Sequence, residues 1–260
     1  MRYARWRRKR REVHMSIPYD YEAIAKMIDH SLLNPALTTP ELEEGCALAL
    51  RYNVASVCIM PYALARCAEV LRASTVAAST TIGFPHGGHT TAIKLAEAQK
   101  ALEDGGQELD VVINISKARS GDWQYVQEEI RALTQLIHSA GMKIKVIFEN
   151  AYHDDAAKIR LCEICGGIGV DWVKTSTGYA PSGATMADLE LMRRHSPANV
   201  QVKAAGGIRD LDAMLAVRAI GVSRVGATRT ETMLEEGRRR LGLDPITPQT
   251  PANAVAPAGY

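Results

Sequence analysis

No run of about 18 apolar residues occurs anywhere in these 260 residues, so the sequence holds nothing long and apolar enough to cross a bilayer as a helix. Cysteine is sparse and odd in number. Cys46, Cys58, Cys67, Cys162 and Cys165 are scattered along a long chain, which speaks against a disulfide framework and for a reducing, cytoplasmic setting. Cys162-Glu-Ile-Cys165 is a lone C-x-x-C with no second pair, and the pattern around it places both thiols on the buried face of a helix. His86-Gly-Gly-His89 lacks the third and fourth ligands that zinc takes. No G-x-G-x-x-G follows a strand-like run and no P-loop is present, which removes the strongest nucleotide signals. Neither a metal nor a cofactor is expected.

What is present is the balance of a globular enzyme: 47% hydrophobic and 23% charged residues in a length that suits one large domain. The net charge of +2 is unevenly spread. Residues 1–14 hold seven of the 31 basic residues and one of the 29 acidic ones, so the rest of the chain is mildly acidic. This arm has no apolar segment and is followed by Met15-Ser-Ile-Pro, which makes Met15 an alternative start. Residues 244–260 contain Pro245, Pro248, Pro251 and Pro257 among small residues and cannot bury enough apolar surface to order themselves. The expected organisation is a basic, disordered extension (1–16), one domain (17–243) and a flexible Pro/Ala-rich tail (244–260).

Between the tails, short β-branched runs alternate with amphipathic stretches of helical period, the β-α alternation of a parallel sheet. Strands are expected at Met27 to Leu33, Ala55 to Ile59, Val76 to Ile82, Leu109 to Ile115, Ile144 to Phe148, Trp172 to Thr175, Gln201 to Ala204 and Arg224 to Gly226. Helices are expected at Pro40 to Tyr52, Thr90 to Asp104 and Trp123 to Ala140, the last two closed by glycine. Eight such units favour an α/β fold of the single (β/α)8 TIM-barrel type over an open sheet.

In such a barrel the chemistry sits at the carboxyl ends of the strands. Charged residues recur there, in Glu108-Leu-Asp110-Val-Val-Ile-Asn114, Lys143-Ile-Lys145-Val-Ile-Phe-Glu149, Asp171-Trp-Val-Lys174 and Val202-Lys203. Alternation puts Asp110 on one face with Val112 and Asn114, and Lys145 on one face with Ile147 and Glu149. Buried charges are costly unless paired, so the set implies an ion-pair network or a catalytic constellation. Lys174 and Lys203 lie one strand-helix-strand unit apart and point into the same mouth. Like charge and partial burial lower a lysine pKa, which supplies the free amine a Schiff base requires.

Val173-Lys174-Thr-Ser-Thr-Gly178 and Val202-Lys203-Ala-Ala-Gly206-Gly207-Ile-Arg209 resemble the two lysine motifs of the deoxyribose-phosphate aldolases, a class I, Schiff-base family. Further matches run from Ile28-Asp29-His-Ser-Leu-Leu33 through Gly83-Phe-Pro-His-Gly87 and Glu108-Leu-Asp110 to Arg224-Val-Gly-Ala-Thr228, so the likeness covers about residues 20 to 240. It implies that Lys174 condenses with the substrate carbonyl, that Lys203 tunes it and shares its protons, and that Asp110 serves the acid-base relay. The implied reaction is reversible cleavage of 2-deoxy-D-ribose 5-phosphate to D-glyceraldehyde 3-phosphate and acetaldehyde, a step of deoxyribonucleotide catabolism. Gly178, Gly206, Gly207, Gly226, Ala227 and Thr228 are the expected phosphate loops. Asp29, Ser31, Cys58, Lys145 and Thr177 are candidate pocket residues. Asn34, Ala204 and Thr228-Arg229 depart from the family's usual residues, and Tyr260 is a candidate proton-transfer group on the tail. Expected partners are a sugar phosphate and acetaldehyde, with a homodimer as the assembly and no membrane. The alternatives are another Schiff-base aldolase of the same barrel, and an inactive barrel that binds nucleic acid through the basic arm.

Overall fold

A computed structural model describes residues 18–246. The basic arm, Met15 and Tyr260 lie outside these residues. Eight parallel strands close into a barrel in sequence order: β1 (Ile28–Leu32), β2 (Ser56–Ile59), β3 (Ala77–Ile82), β4 (Glu108–Val112), β5 (Lys143–Ile147), β6 (Trp172–Lys174), β7 (Gln201–Ala205) and β8 (Arg224–Ala227), with β8 paired to β1. The helices that wrap it are α1 (Tyr21–Ala25), α2 (Thr39–Tyr52), α3 (Leu64–Leu71), α4 (Thr91–Glu103), α5 (Ile115–Arg119), α6 (Trp123–Ser139), α7 (Asp155–Ile168), α8 (Met186–His195), α9 (Leu211–Ile220) and α10 (Thr230–Arg240). None of the described helices is long and apolar enough to cross a membrane.

Side chains on a strand alternate in direction, and the sequence uses the two directions for different purposes. One parity, which includes Val57, Leu109, Val111, Ile144, Val146, Val173, Val202 and Val225, joins the hydrophobic core between barrel and helices. The other turns polar side chains into the barrel, among them Asp29, Glu108, Asp110, Lys145, Lys174, Lys203 and Arg224, which meet in ion pairs across the lumen. Burying the outer parity supplies the stabilisation. The inner parity is released for chemistry.

Local signals set the helix ends. Thr38 and Glu41 form a capping box at α2, where Glu41 Oε2 takes the Thr38 N–H at 2.7 Å. Asp122 caps α6 and Asp154 caps α7. The fourth strand corrects the expectation from sequence: it stops at Val112, and Asn114 is the N-cap of α5, its side chain accepting the Lys117 N–H at 3.1 Å. Asparagine's short carbonyl competes with the ladder, so the strand ends before the apolar run Val-Val-Ile does. At the other end, Asp244 to Ile246 stay close to α10: Arg238 Nε donates to the Asp244 carbonyl at 2.7 Å, and the Ile246 N–H reaches Glu235 at 3.0 Å.

Candidate active site

Lys174 ends β6 and pairs in register with Lys203 of β7, while Asp110 of β4 pairs with Lys145 of β5. These positions share the inward parity, so their side chains converge on the barrel axis. The Asp110 carboxylate is the meeting point. Its Oδ2 lies 2.7 Å from Lys174 Nζ and 2.8 Å from Lys203 Nζ, and its Oδ1 lies 3.0 Å from Lys145 Nζ. Lys203 also reaches Asp29 Oδ2 at 2.6 Å, and Lys145 reaches Glu108 at 2.6 Å. Arg224 closes the floor, with Nη1 at 2.6 Å from Asp29 and Nη2 at 2.9 Å from Glu108. Its guanidinium stacks 5.0 Å from the ring centre of Trp172.

Apart from Lys174, the network holds three carboxylates (Asp29, Glu108, Asp110) and three cations (Lys145, Lys203, Arg224). Its charges therefore balance when Lys174 is neutral. Burial opposes ionisation of Asp110, but the ammonium groups of Lys145, Lys174 and Lys203 outweigh it and hold the carboxyl well below its usual range. Burial likewise opposes charge on Lys203, and Asp110 and Asp29 overcome it, so Lys203 is raised above the ordinary lysine value. Lys174 goes the other way. Burial leads, Asp110 resists, Lys203 adds repulsion, and the net shift is downward. Both causes expected from the sequence, burial and like charge, act on Lys174, and burial is the larger.

Lys174 opens into a cavity of about 200 Å3 whose lining includes Asp29, Ser31, Cys58, Thr177 and Lys203. The same lining includes Gly178, Gly206, Gly207, Gly226 and Thr228. The loops after β6 and β7 touch there: Gly206, at φ +80°, lies so close to Gly183 that an added Cβ would stand 2.8 Å from the Gly183 Cα. The Ala184 N–H bonds to the carbonyls of Ala205 and Gly206, each at 3.0 Å.

Two expected residues lie elsewhere. Ala227 turns its side chain into the outer core, because its strand position has the outward parity. Lys145 sits below the cavity as a fully buried member of the network. Cys58 faces the cavity, with its thiol pKa raised by burial. His86 and His89 do not converge: His89 pairs with Glu97 at 3.2 Å, and His86 lines a separate hollow. Cys162 and Cys165 are buried in α7, and burial pushes the Cys162 thiol up to about 11.

Two residues outside the expected site stand at it or beside it. Arg209 lines the same cavity as an exposed cation beside the glycine loops. It stands in the second-lysine motif, and its place after two glycines was the available signal. Glu149 is buried in left-handed backbone, at φ 59°, and its carboxylate accepts the Thr177 N–H at 3.2 and 3.3 Å as well as the Thr177 hydroxyl. Burial raises its pKa. Nothing in a single sequence pairs Glu149 with a loop beyond the next helix.

Comparison with known proteins places the chain among aldolases. The model of the DeoC/LacD family aldolases matches residues 23–229. The chain is 61% identical over 242 residues to a deoxyribose-phosphate aldolase of Rhodopirellula baltica, covering 93% of this chain and 99% of the relative. It is 41% identical over 218 residues to one of Thermococcus gammatolerans, covering 83% and 96%. Among solved structures, the tetrameric deoxyribose phosphate aldolase of Aeropyrum pernix superimposes with a TM-score of 0.81 at 30% identity, over 89% of this chain and 97% of that one.

Proposed function

Because the chain belongs to the DeoC/LacD family of aldolases, we propose that its reaction is the reversible cleavage of 2-deoxy-D-ribose 5-phosphate through an imine on Lys174. The observation that carries this reading is the shared oxygen: Asp110 Oδ2 holds Lys174 and Lys203 at 2.7 and 2.8 Å inside one cavity. Of the three lysines that meet Asp110, Lys174 is the one whose pKa is lowered, so it is the amine best able to attack.

The Lys174 amine adds to the C1 aldehyde of the open-chain sugar. Asp110 and Lys203 pass the protons that allow water to leave, which gives an iminium. A five-carbon aldehyde that yields a two-carbon and a three-carbon aldehyde breaks between C2 and C3. The C3 hydroxyl loses its proton, the C2–C3 electrons move toward the iminium, and glyceraldehyde 3-phosphate departs. Protonation of the enamine at C2 and hydrolysis release acetaldehyde and return the amine. Gly178, Gly206, Gly207, Gly226 and Thr228 would take the phosphate through exposed backbone N–H groups, with Arg209 supplying opposite charge. Ala227 contributes at most its backbone.

The described cysteines are buried and free, which fits the reducing, cytoplasmic setting proposed from sequence. A homodimer remains the proposed assembly; the Aeropyrum relative is tetrameric. Borohydride reduction in the presence of acetaldehyde should inactivate the protein irreversibly and place the ethyl label on Lys174 in a peptide map. Labelling at another lysine, or none, would refute the imine mechanism.

A further inference from the structure

Glu149 is a buried carboxylate for which the proposed chemistry has no use, and it stands just past the strand that runs beside Lys174. β5 ends at Ile147, level with Lys174 in the ladder. Beyond that point the two chains stay joined: the Phe148 N–H donates to the Lys174 carbonyl at 3.0 Å, and the Asn150 N–H donates to the Thr175 carbonyl at 2.9 Å. Between these bonds Glu149 takes left-handed backbone, at φ 59°, a region that a residue with a Cβ seldom enters unless its surroundings demand it. Among the described residues other than glycine, Asn53 alone shares this conformation, and Asn53 closes a helix, where the left-handed turn is common. Glu149 closes no helix. Its carboxylate instead accepts the Thr177 N–H at 3.2 and 3.3 Å and the Thr177 hydroxyl.

Thr177 and the residue after it both line the Lys174 cavity. Gly178 sits there at φ +92°, and with no Cβ its backbone has a freedom that only its neighbours restrict. Thr177 Oγ1 accepts the Tyr179 N–H at 3.0 Å, so a bond spans Gly178 from one side to the other. Glu149 anchors the near end of that bond. Burial raises the Glu149 pKa, against the bonds from Thr177 and the positive charge of Lys174. A carboxylate taken out of water is a poor way to stabilise a core that an apolar side chain would fill. The reason for Glu149 therefore lies in the geometry that it holds.

We propose that Glu149 is a positioning residue for the Lys174 cavity: by taking both donors of Thr177 it fixes the Thr177–Gly178 wall against which the sugar phosphate is oriented for cleavage. The inference rests on the Schiff-base reading above and deepens it. Imine formation with a small aldehyde calls on Lys174, Asp110 and Lys203, which are held by their own ion pairs. Cleavage asks for more. The five-carbon chain must lie so that the C2–C3 electrons face the iminium, and a misplacement of about 1 Å is enough to slow such a step by about 100-fold. Loss of the Glu149 carboxylate should therefore separate the two steps, sparing the first and slowing the second.

The test uses the full chain and two readouts: the fraction of Lys174 trapped by borohydride with acetaldehyde, and kcat/KM for cleavage of 2-deoxy-D-ribose 5-phosphate per trapped site. Glu149→Met keeps the length of the side chain and removes both acceptor oxygens. Glu149→Gly removes them while relaxing the left-handed backbone, and serves if the methionine variant folds poorly. Each should trap Lys174 as fully as the wild type yet lose about 10- to 100-fold in kcat/KM. Glu149→Gln retains an acceptor for the Thr177 N–H and should fall between these variants and the wild type. Wild-type kcat/KM in the methionine and glycine variants overturns the inference. So does trapping that declines in step with turnover, which would make the role one of holding the fold. A glutamine variant as slow as the methionine one overturns it too, because charge rather than geometry would then decide the rate. A wild type that is not trapped at Lys174 removes the Schiff-base reading, and the inference with it.

Discussion

Asp110 accepts three ammonium groups with two oxygens, and the fate of Lys174 depends on how that carboxylate divides its attention. Lys203 draws part of the negative potential and repels Lys174 directly. Replacing Lys203 by leucine removes the repulsion and leaves Asp110 freer to hold Lys174 in its charged form. A lowered lysine pKa means that the free amine, and with it the rate, rises with pH through that lowered value. In Lys203→Leu the rise should therefore move to higher pH, and kcat/KM near neutrality should fall by about 100-fold or more, the size of a general acid-base contribution. A pH-rate profile in the deoxyribose 5-phosphate cleavage assay decides it. A profile that keeps its position, or an activity like that of wild type, would show that Lys203 has no part in tuning Lys174.

Among the elements, α4 and α6 hide a second buried pair that sequence did not disclose. Lys94 and Glu129 meet at 2.8 Å with both side chains fully buried, Lys94 also donating to the Val112 carbonyl at 2.7 Å and Glu129 accepting the Asn114 N–H at 3.0 Å. The pair ties two helices to the end of β4, just beyond Asp110. Glu129→Leu leaves an ammonium stranded, which should cost about 3–5 kcal/mol, whereas adding Lys94→Met should recover part of that loss. Urea unfolding of the two variants checks it; equal midpoints for the single and double substitution would mean that the pair is not coupled. Three of the helices were legible, since Pro40 marks one start and Gly105 and Gly141 mark two ends. The convergence of Lys174, Lys203 and Asp110 was legible too, because strand alternation puts all three on the inward face. Lys94 and Glu129 were not, because a charge on an amphipathic helix ordinarily faces water. Arg224 and Glu108 stand at strand starts, and their meeting depends on the stagger of a closed barrel, which no local pattern records.

At the scale of the whole molecule, closure joins the first strand to the last. His30 of β1 points outward, with Nδ1 at 2.8 Å from Thr230 Oγ1 at the start of α10. Burial holds its pKa down to about 4. A folded-state pKa below the unfolded value means stability that is fully present above about pH 6.5 and is lost as pH falls toward 4, because the unfolded chain binds the proton first. Between pH 7 and 5 the wild type should lose about 2 kcal/mol that His30→Gln does not lose. Denaturant midpoints at the two pH values, compared between the proteins, test this; parallel losses in both would exonerate His30.

The balance of three carboxylates against three cations in the lumen also limits how such a barrel can change over generations. A lone replacement at Asp29, Glu108, Lys145 or Arg224 strands an opposite charge away from water, so the tolerated path runs through paired exchanges, or through none. Residues of the barrel floor are thereby bound into one inherited block with those that line the cavity.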